Sequence, residues 1–270
     1  MIPASFDYVR AQSVEEAVTL LGRTEQATLP LAGGQSLLPL LRHRSITPST
    51  LVDLGRLPEL RGIEVVGDHV VIGALTRYRE LETSHLLAEE APLLRHVAGL
   101  VGDPQMRHRG TIGGALAHAD PCADIPATAV ALDASVVLHG EAGRREVAVE
   151  QFLTGPGRTV RSPEEVLVQV RLPRAGGRPW AYQRSCARAL AWPTVAVAVA
   201  GDRVAMAGMG DVPWPAPATR AALGESASAA EAAALADEGA HPRDDRVASA
   251  RYRRHLARIL TRRALEEAGR

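Results

Sequence analysis

An α+β protein of three lobes is what the sequence predicts, and three observations carry it. Helix and strand signals alternate over residues 1–55, and strand pairs mix with helices over 56–173. From Arg174 the texture changes, because the Gly- and Pro-containing segment AGGRPW precedes a run of alternating valines and alanines. The expected lobes are therefore 1–55, 56–173 and 174–270. With 270 residues, 46% of them hydrophobic, the chain can bury two or three modest cores.

In the first lobe, Ser13 followed by Glu16 is a capping box, and Val14, Ala17, Val18 and Leu21 then share a helical face. ATLPLAG (27–33) is a short strand running into glycines, LLPLLRHR a helical turn or two, and TLVDL (50–54) a second buried strand. The expected order is helix, strand, glycine loop, helix, strand. In the second lobe, EVVGDHVVIG is a strand pair turning at Gly67-Asp68. APLLRHVAGLVGD is a helix with Pro92 near its start and Leu94, Val97, Ala98 and Val101 inward. SVVLHG and REVAV form another hairpin, and VLVQVRLP closes the lobe as a strand. In the third, VAVAVAGDRVAMAG is a hairpin turning at Gly201-Asp202, Ser226 to Gly239 an Ala-rich helix, and Asp244 to Ala268 a final helix. Tyr252, Leu256, Ile259 and Leu260 are expected to share a face of that last helix.

Bulk properties exclude several classes. Lys plus Arg equals Asp plus Glu at 31 each, so no net field draws nucleic acid or an anionic membrane. Six arginines between Arg251 and Arg263, with no acidic residue among them, could form a nucleic-acid helix; the neutral whole favours a solvated face or subunit contact. Cys122 and Cys186 lie far apart and outside any C-x-x-C pair, which argues against zinc, iron–sulfur and disulfide frameworks. His43, His96 and His118 show no ligand spacing, so no metal site is expected. No apolar run reaches about 18 residues and MIPASFDYVR has no basic-then-apolar leader, so the expectation is a cytoplasmic protein without a transmembrane segment.

Two glycine-rich segments carry the chemistry. Ala32-Gly33-Gly34-Gln35-Ser36 follows a strand and precedes a helix, where consecutive N–H groups make a concave anion site that suits a pyrophosphate. A Gly-Gly turn alone is compatible with that placement, and the segment has neither a Walker lysine nor the third glycine of a Rossmann fingerprint. Thr111-Ile112-Gly113-Gly114-Ala115 is the second, followed by HADPCADIP with Asp120 and Asp124 beside proline breaks. Either aspartate also serves as a helix cap. Two such loops in separate lobes point to a dinucleotide clamped between them.

The segments AGGQSLLPLLRHR, SITPSTLVDLGRLPEL, VIGALTR, GDPQMRHRGTIGGALAHADPCADIPA and RVASARYRRHLARILTRRALEEA resemble, in order, the medium, flavin-binding subunit of aerobic carbon monoxide dehydrogenases and the flavin domain of xanthine dehydrogenases. The resemblance implies two FAD-binding lobes of the vanillyl-alcohol-oxidase-like type and a C-terminal α+β domain over the flavin. It implies that Ala32 to Ser36 and Thr111 to Ala115 hold the FAD pyrophosphate through backbone amides, with the Ser36 and Thr111 hydroxyls as further donors. Asp124 matches the aspartate on the polyol side of the cofactor, and Leu167 an apolar residue near the ring. Gln183 falls where a lysine stands near the cofactor in xanthine-dehydrogenase-like members. Trp192 either covers the isoalloxazine or packs beside Pro193. His108 and Ala115 replace residues that offer side-chain hydrogen bonds in the family. The implied partners are a small subunit with 2Fe–2S clusters and a large molybdenum-cofactor subunit, as a dimer of heterotrimers.

The residues show no nucleophile with an adjacent base and no catalytic group, consistent with a flavoprotein that relays electrons. A self-contained FAD oxidase or reductase is the alternative within flavin chemistry. A cofactor-free scaffold is the alternative outside it.

Overall fold

The structure is a computed structural model that describes residues 2–23 and 27–270. The first lobe contains β1 (Asp7–Arg10), α1 (Val14–Leu21), β2 (Thr28–Leu31), α2 (Leu37–Arg42) and β3 (Thr50–Asp53). Its sheet has the order β1-β3-β2 with both pairings parallel. Leu51 and Val52 of the central β3 are buried, and Pro30 is tolerated because β2 is an edge strand. The Ser13 hydroxyl accepts from the Glu16 amide at 3.1 Å, but the Glu16 carboxylate takes the Gln12 amide at 2.6 Å, so the capping box is displaced by one residue. β1 is an addition to the expected order. Three of its four residues are exposed, so it lacks the alternation that marks a strand.

The second lobe runs through β4 (Ile63–Val66), β5 (His69–Gly73), α3 (Tyr78–Thr83), α4 (His85–Glu90), α5 (Pro92–Leu100), α6 (Pro104–Arg107), α7 (Ile112–His118) and α8 (Asp124–Ala131). It continues with β6 (Ser135–Gly140), β7 (Gly143–Ala148), α9 (Val149–Phe152), β8 (Leu153–Gly155), β9 (Arg158–Thr159) and β10 (Val166–Pro173). The antiparallel sheet has the order β4-β5-β10-β6-β7, which puts the last strand at its centre. The apolar VLVQVRLP earns that place, since Val166, Leu167, Val168, Val170 and Leu172 are all buried.

The third lobe holds β11 (Trp180–Cys186), β12 (Pro193–Ala200), β13 (Arg203–Ala207), α10 (Pro217–Gly224), α11 (Ala229–Ala234) and α12 (Ala250–Glu267). In the sheet β11-β12-β13 every residue of β12 is buried. Its pattern explains why. Val195, Val197 and Val199 enter the core beneath α12, while Ala196, Ala198 and Ala200 face the second lobe's core and let α8 approach closely.

Several expectations are revised here. The Ala-rich helix is only Ala229–Ala234, with turns from Leu235 to Gly239, and α10 precedes it. The last helix begins at Ala250 rather than Asp244, capped by Ser249. Tyr252 is 49% exposed, so the inward face is that of Arg253, Leu256, Ala257, Leu260, Thr261, Ala264 and Leu265. Three of the six arginines serve the fold: Arg253 pairs with Asp245 at 2.6 Å and donates to the Thr194 carbonyl, and Arg254 and Arg258 flank the buried Asp237 at 3.4 and 2.6 Å. A nucleic-acid face is not built from them. Among the described residues, no helix is long and apolar enough to cross a membrane.

Candidate functional site

Where the ends of β2 and α2 meet α7, α8 and the start of β10, a cleft of about 240 Å³ opens. Every residue predicted for the site lines this cleft except Ile112 and Gln183. The side chain of Ile112 is fully buried in the second core, and its amide donates to the Thr76 carbonyl at 3.1 Å. Gln183 faces away, donating to Glu267 on α12 at 2.6 Å. Strand alternation decides that outcome, because its neighbours Tyr182 and Arg184 on β11 take the opposite face.

The two glycine loops differ in what they offer. Among the described residues no protein acceptor takes the amides of Gly33, Gly34, Gln35 or Ser36, and the Ser36 hydroxyl makes no capping bond. Gly34 has φ +76°, where glycine relieves the strain of a side chain. Gly33 is required by proximity: a Cβ there would stand 2.1 Å from the Arg109 carbonyl oxygen. In the second loop the amides of Ile112 to Ala115 are already committed within the chain. Gly113 donates to the Ala74 carbonyl at 2.9 Å, Gly114 to the Thr111 hydroxyl at 3.2 Å and Ala115 to the Thr111 carbonyl at 3.0 Å. Of the donors expected from the second loop, only the Thr111 amide has no acceptor among the described residues. The first loop supplies the free amides, while the second forms a close-packed wall whose Gly113 sits against Ala74.

Asp124 opens α8 and is 5% exposed. Its Oδ1 accepts from the Tyr182 hydroxyl at 2.5 Å and from Arg184 at 3.4 Å. Burial pushes its carboxyl above the usual range, an effect that these two partners oppose. Burial likewise raises the Tyr182 phenol, with the Asp124 charge adding to it. At the β10 end, Glu165 accepts both arms of Arg145 at 2.6 and 2.7 Å, which hold its carboxyl below the usual range. Arg161, also on the cleft, directs one nitrogen to the carbonyls of Ser162, Pro163 and Glu165. Leu167 supplies an apolar wall, and Trp192 stands 48% exposed at the cleft instead of packing into a core. Cys122 and Cys186 are free and burial raises both thiols, so neither is a ready thiolate. No group of three His, Cys, Asp or Glu among the described residues could hold a metal.

Tyr78, Arg161, Glu165, Tyr182 and Arg184 are polar groups at the site that the sequence did not single out. Tyr182 and Arg184 reach Asp124 across 58 and 60 residues, a juxtaposition that no local spacing encodes. Gly110 carried a faint signal for Tyr78, since a Cβ at that glycine would stand 2.7 Å from the tyrosine ring.

Residues 4–175 match the family described as "FAD binding domain in molybdopterin dehydrogenase", and residues 180–268 match "CO dehydrogenase flavoprotein C-terminal domain". The carbon monoxide dehydrogenase medium chain of Hydrogenophaga pseudoflava is 44% identical over 200 residues, covering 74% of this chain and 70% of its own. The glyceraldehyde dehydrogenase medium chain of Sulfolobus acidocaldarius is 34% identical over 280 residues and 99% of both chains. Among solved structures, carbon monoxide dehydrogenase from Hydrogenophaga pseudoflava, in a form lacking the Mo-pyranopterin moiety, superposes with a TM-score of 0.94 at 38% identity, covering 100% of this chain and 99% of that one.

Proposed function

The chain belongs to the FAD-binding medium-subunit family of molybdenum hydroxylases, and from that premise we propose that it relays electrons inside a complex of that kind. It is an oxidoreductase subunit, and FAD is its cofactor. The cleft fits that group. The unspent amides of Gly33 to Ser36 suit the phosphates, Asp124 suits a polyol, and Leu29, Leu40, Leu54 and Leu167 offer apolar surface to the rings. When bound, the flavin supplies the redox chemistry, and the protein binds, orients and tunes it. We assign residues 1–55 and 56–173 to the two FAD-binding lobes and 174–270 to a lobe that reaches over the cofactor through Trp192 and steadies Asp124 through Tyr182 and Arg184.

One observation supports the relay reading: both carboxylates on the cleft, Asp124 and Glu165, are already engaged by side chains of this chain, Asp124 by Tyr182 and Arg184 and Glu165 by Arg145. The electrons then come from a partner. We propose a small subunit with 2Fe–2S clusters as the donor, a large molybdenum subunit as the site of substrate turnover, and a dimer of heterotrimers in the cytoplasm as the assembly. The external acceptor belongs to the class of quinone, oxygen or NAD⁺. Medium chains of carbon monoxide and glyceraldehyde dehydrogenases among the relatives support this division of labour.

Rapid-mixing absorbance with each subunit left out in turn tests it. Flavin in the lone chain should stay oxidised when carbon monoxide or glyceraldehyde is added, and chemically reduced flavin should reoxidise with an acceptor. Substrate should bleach the flavin only when both other subunits are present. Bleaching by the lone chain would replace the relay with a self-contained oxidase.

A further inference from the structure

Tyr78, the first residue of α3, is 5% exposed and lines the cleft, yet its hydroxyl makes no hydrogen bond with any described residue. A hydroxyl on the cleft that no described residue engages is open to a ligand seated there. The ring is held from both sides of the backbone. The Tyr78 amide donates to the Gly110 carbonyl at 3.0 Å, and a Cβ at Gly110 would stand 2.7 Å from the ring. The side chain is therefore fixed immediately before the Thr111 wall. Asp124 is its charged neighbour, close enough to raise the phenol further above its usual range after burial has done most of the work, so the hydroxyl keeps its proton.

The carboxylate is also only half used. Oδ1 of Asp124 takes Tyr182 and Arg184, while Oδ2 receives no hydrogen bond from another described residue. The cleft thus presents one donor and one acceptor that no other described residue engages. A phosphate oxygen would be repelled by the carboxylate and could not donate to it. A sugar-alcohol hydroxyl answers both groups, since it accepts through its oxygen and donates through its hydrogen.

We propose that Tyr78 is a cofactor-binding residue whose hydroxyl donates to a ribityl hydroxyl of FAD while that same ribityl group donates to Oδ2 of Asp124. The proposal rests on the FAD assignment of the cleft and names the partner of the polyol within it. Tyr78→Phe keeps the ring against Gly110 and removes the donor alone. Titration of the full-length apoprotein with FAD, riboflavin and ADP separates the parts of the ligand. The expected result is a loss of roughly tenfold in affinity for FAD and riboflavin and none for ADP. Unchanged riboflavin and FAD affinity, or an equal loss with ADP, would overturn it. A wild-type chain that binds no FAD would instead overturn the site assignment itself and take the Tyr78 proposal with it. A second measurement avoids the substitution: with 3-fluorotyrosine installed at position 78, its fluorine resonance should shift on adding riboflavin and stay in place on adding ADP. A silent resonance with riboflavin counts against the proposal.

Discussion

Gly33 lies outside the left-handed backbone region, so its requirement comes from the 2.1 Å that a Cβ would leave to the Arg109 carbonyl oxygen. A side chain there pushes the 32–36 loop off the second lobe. Gly114 also has an ordinary φ, and a Cβ there would meet only the Thr111 hydroxyl, at 2.7 Å. Gly33→Val is therefore expected to be purified without FAD. Gly114→Val should lose the Thr111 cap, at about 0.5–2 kcal/mol, and Ala115→Ser should keep both cofactor and melting temperature. Flavin absorbance per chain and thermal melts check the order, and a Gly33→Val protein with wild-type FAD affinity would overturn it. Acid sensitivity belongs to this scale too. Glu165 is held below the usual carboxylate range by Arg145, so its contribution is complete above its unfolded value of about 4.3 and is lost as pH falls through the lower folded value. Asp124 runs the other way, because its raised value makes ionisation with rising pH a cost to the folded apoprotein. Urea midpoints across pH should show wild type above Glu165→Gln near neutrality, with the gap closing below about pH 4. A gap independent of pH would remove Glu165 from this role.

At the scale of elements, β11 and α12 explain how the third lobe is tied to the rest. Tyr182 and Arg184 reach the start of α8, and Gln183 on the other face reaches α12, so one strand fastens two helices. Tyr182→Phe removes the closer of the two bonds to Asp124 and leaves its carboxylate short of a donor, at about 1–3 kcal/mol. Urea unfolding should record that loss, with weaker FAD retention beside it; unchanged stability and retention would show the contact to be idle. Asp237, in the turns after α11, is buried between Arg254 and Arg258 of α12, whereas the α12 pair of Arg262 with Glu266 is exposed on both sides. Asp237→Ala should lower the melting temperature clearly. Glu266→Ala should leave it nearly unmoved, as surface pairs of this type contribute little. Equal effects would show that the Asp237 clamp is no stronger than a surface pair. These ties also explain why the arginine run misleads a linear reading: Arg253 is 3% exposed, and only the fold reveals its inward turn.

For the whole molecule, the expectation is a colourless chain once denatured and a yellow one when folded. No side chain on the cleft stands out as a covalent tether, so FAD should leave with the supernatant on denaturation, and elemental analysis of the lone chain should find neither iron nor molybdenum. Flavin that stays with the denatured polypeptide would contradict this. The sequence by itself determined the fold class, most strands and the glycine loops, because hydrophobic periodicity and turn chemistry act between near neighbours, as in the VAVAVA strand or the Gly67-Asp68 turn. It also determined where the cleft's backbone comes from, through Gly33, Gly34 and Thr111. Only the tertiary structure decided which of those amides remain free, that Gln183 turns from the cleft while Tyr182 and Arg184 close on Asp124, and that Tyr78 lines the same cleft with a hydroxyl no described residue engages. Those outcomes depend on strand register and on contacts between groups tens of residues apart, and a local pattern carries no information about which distant partner will fill a given bond.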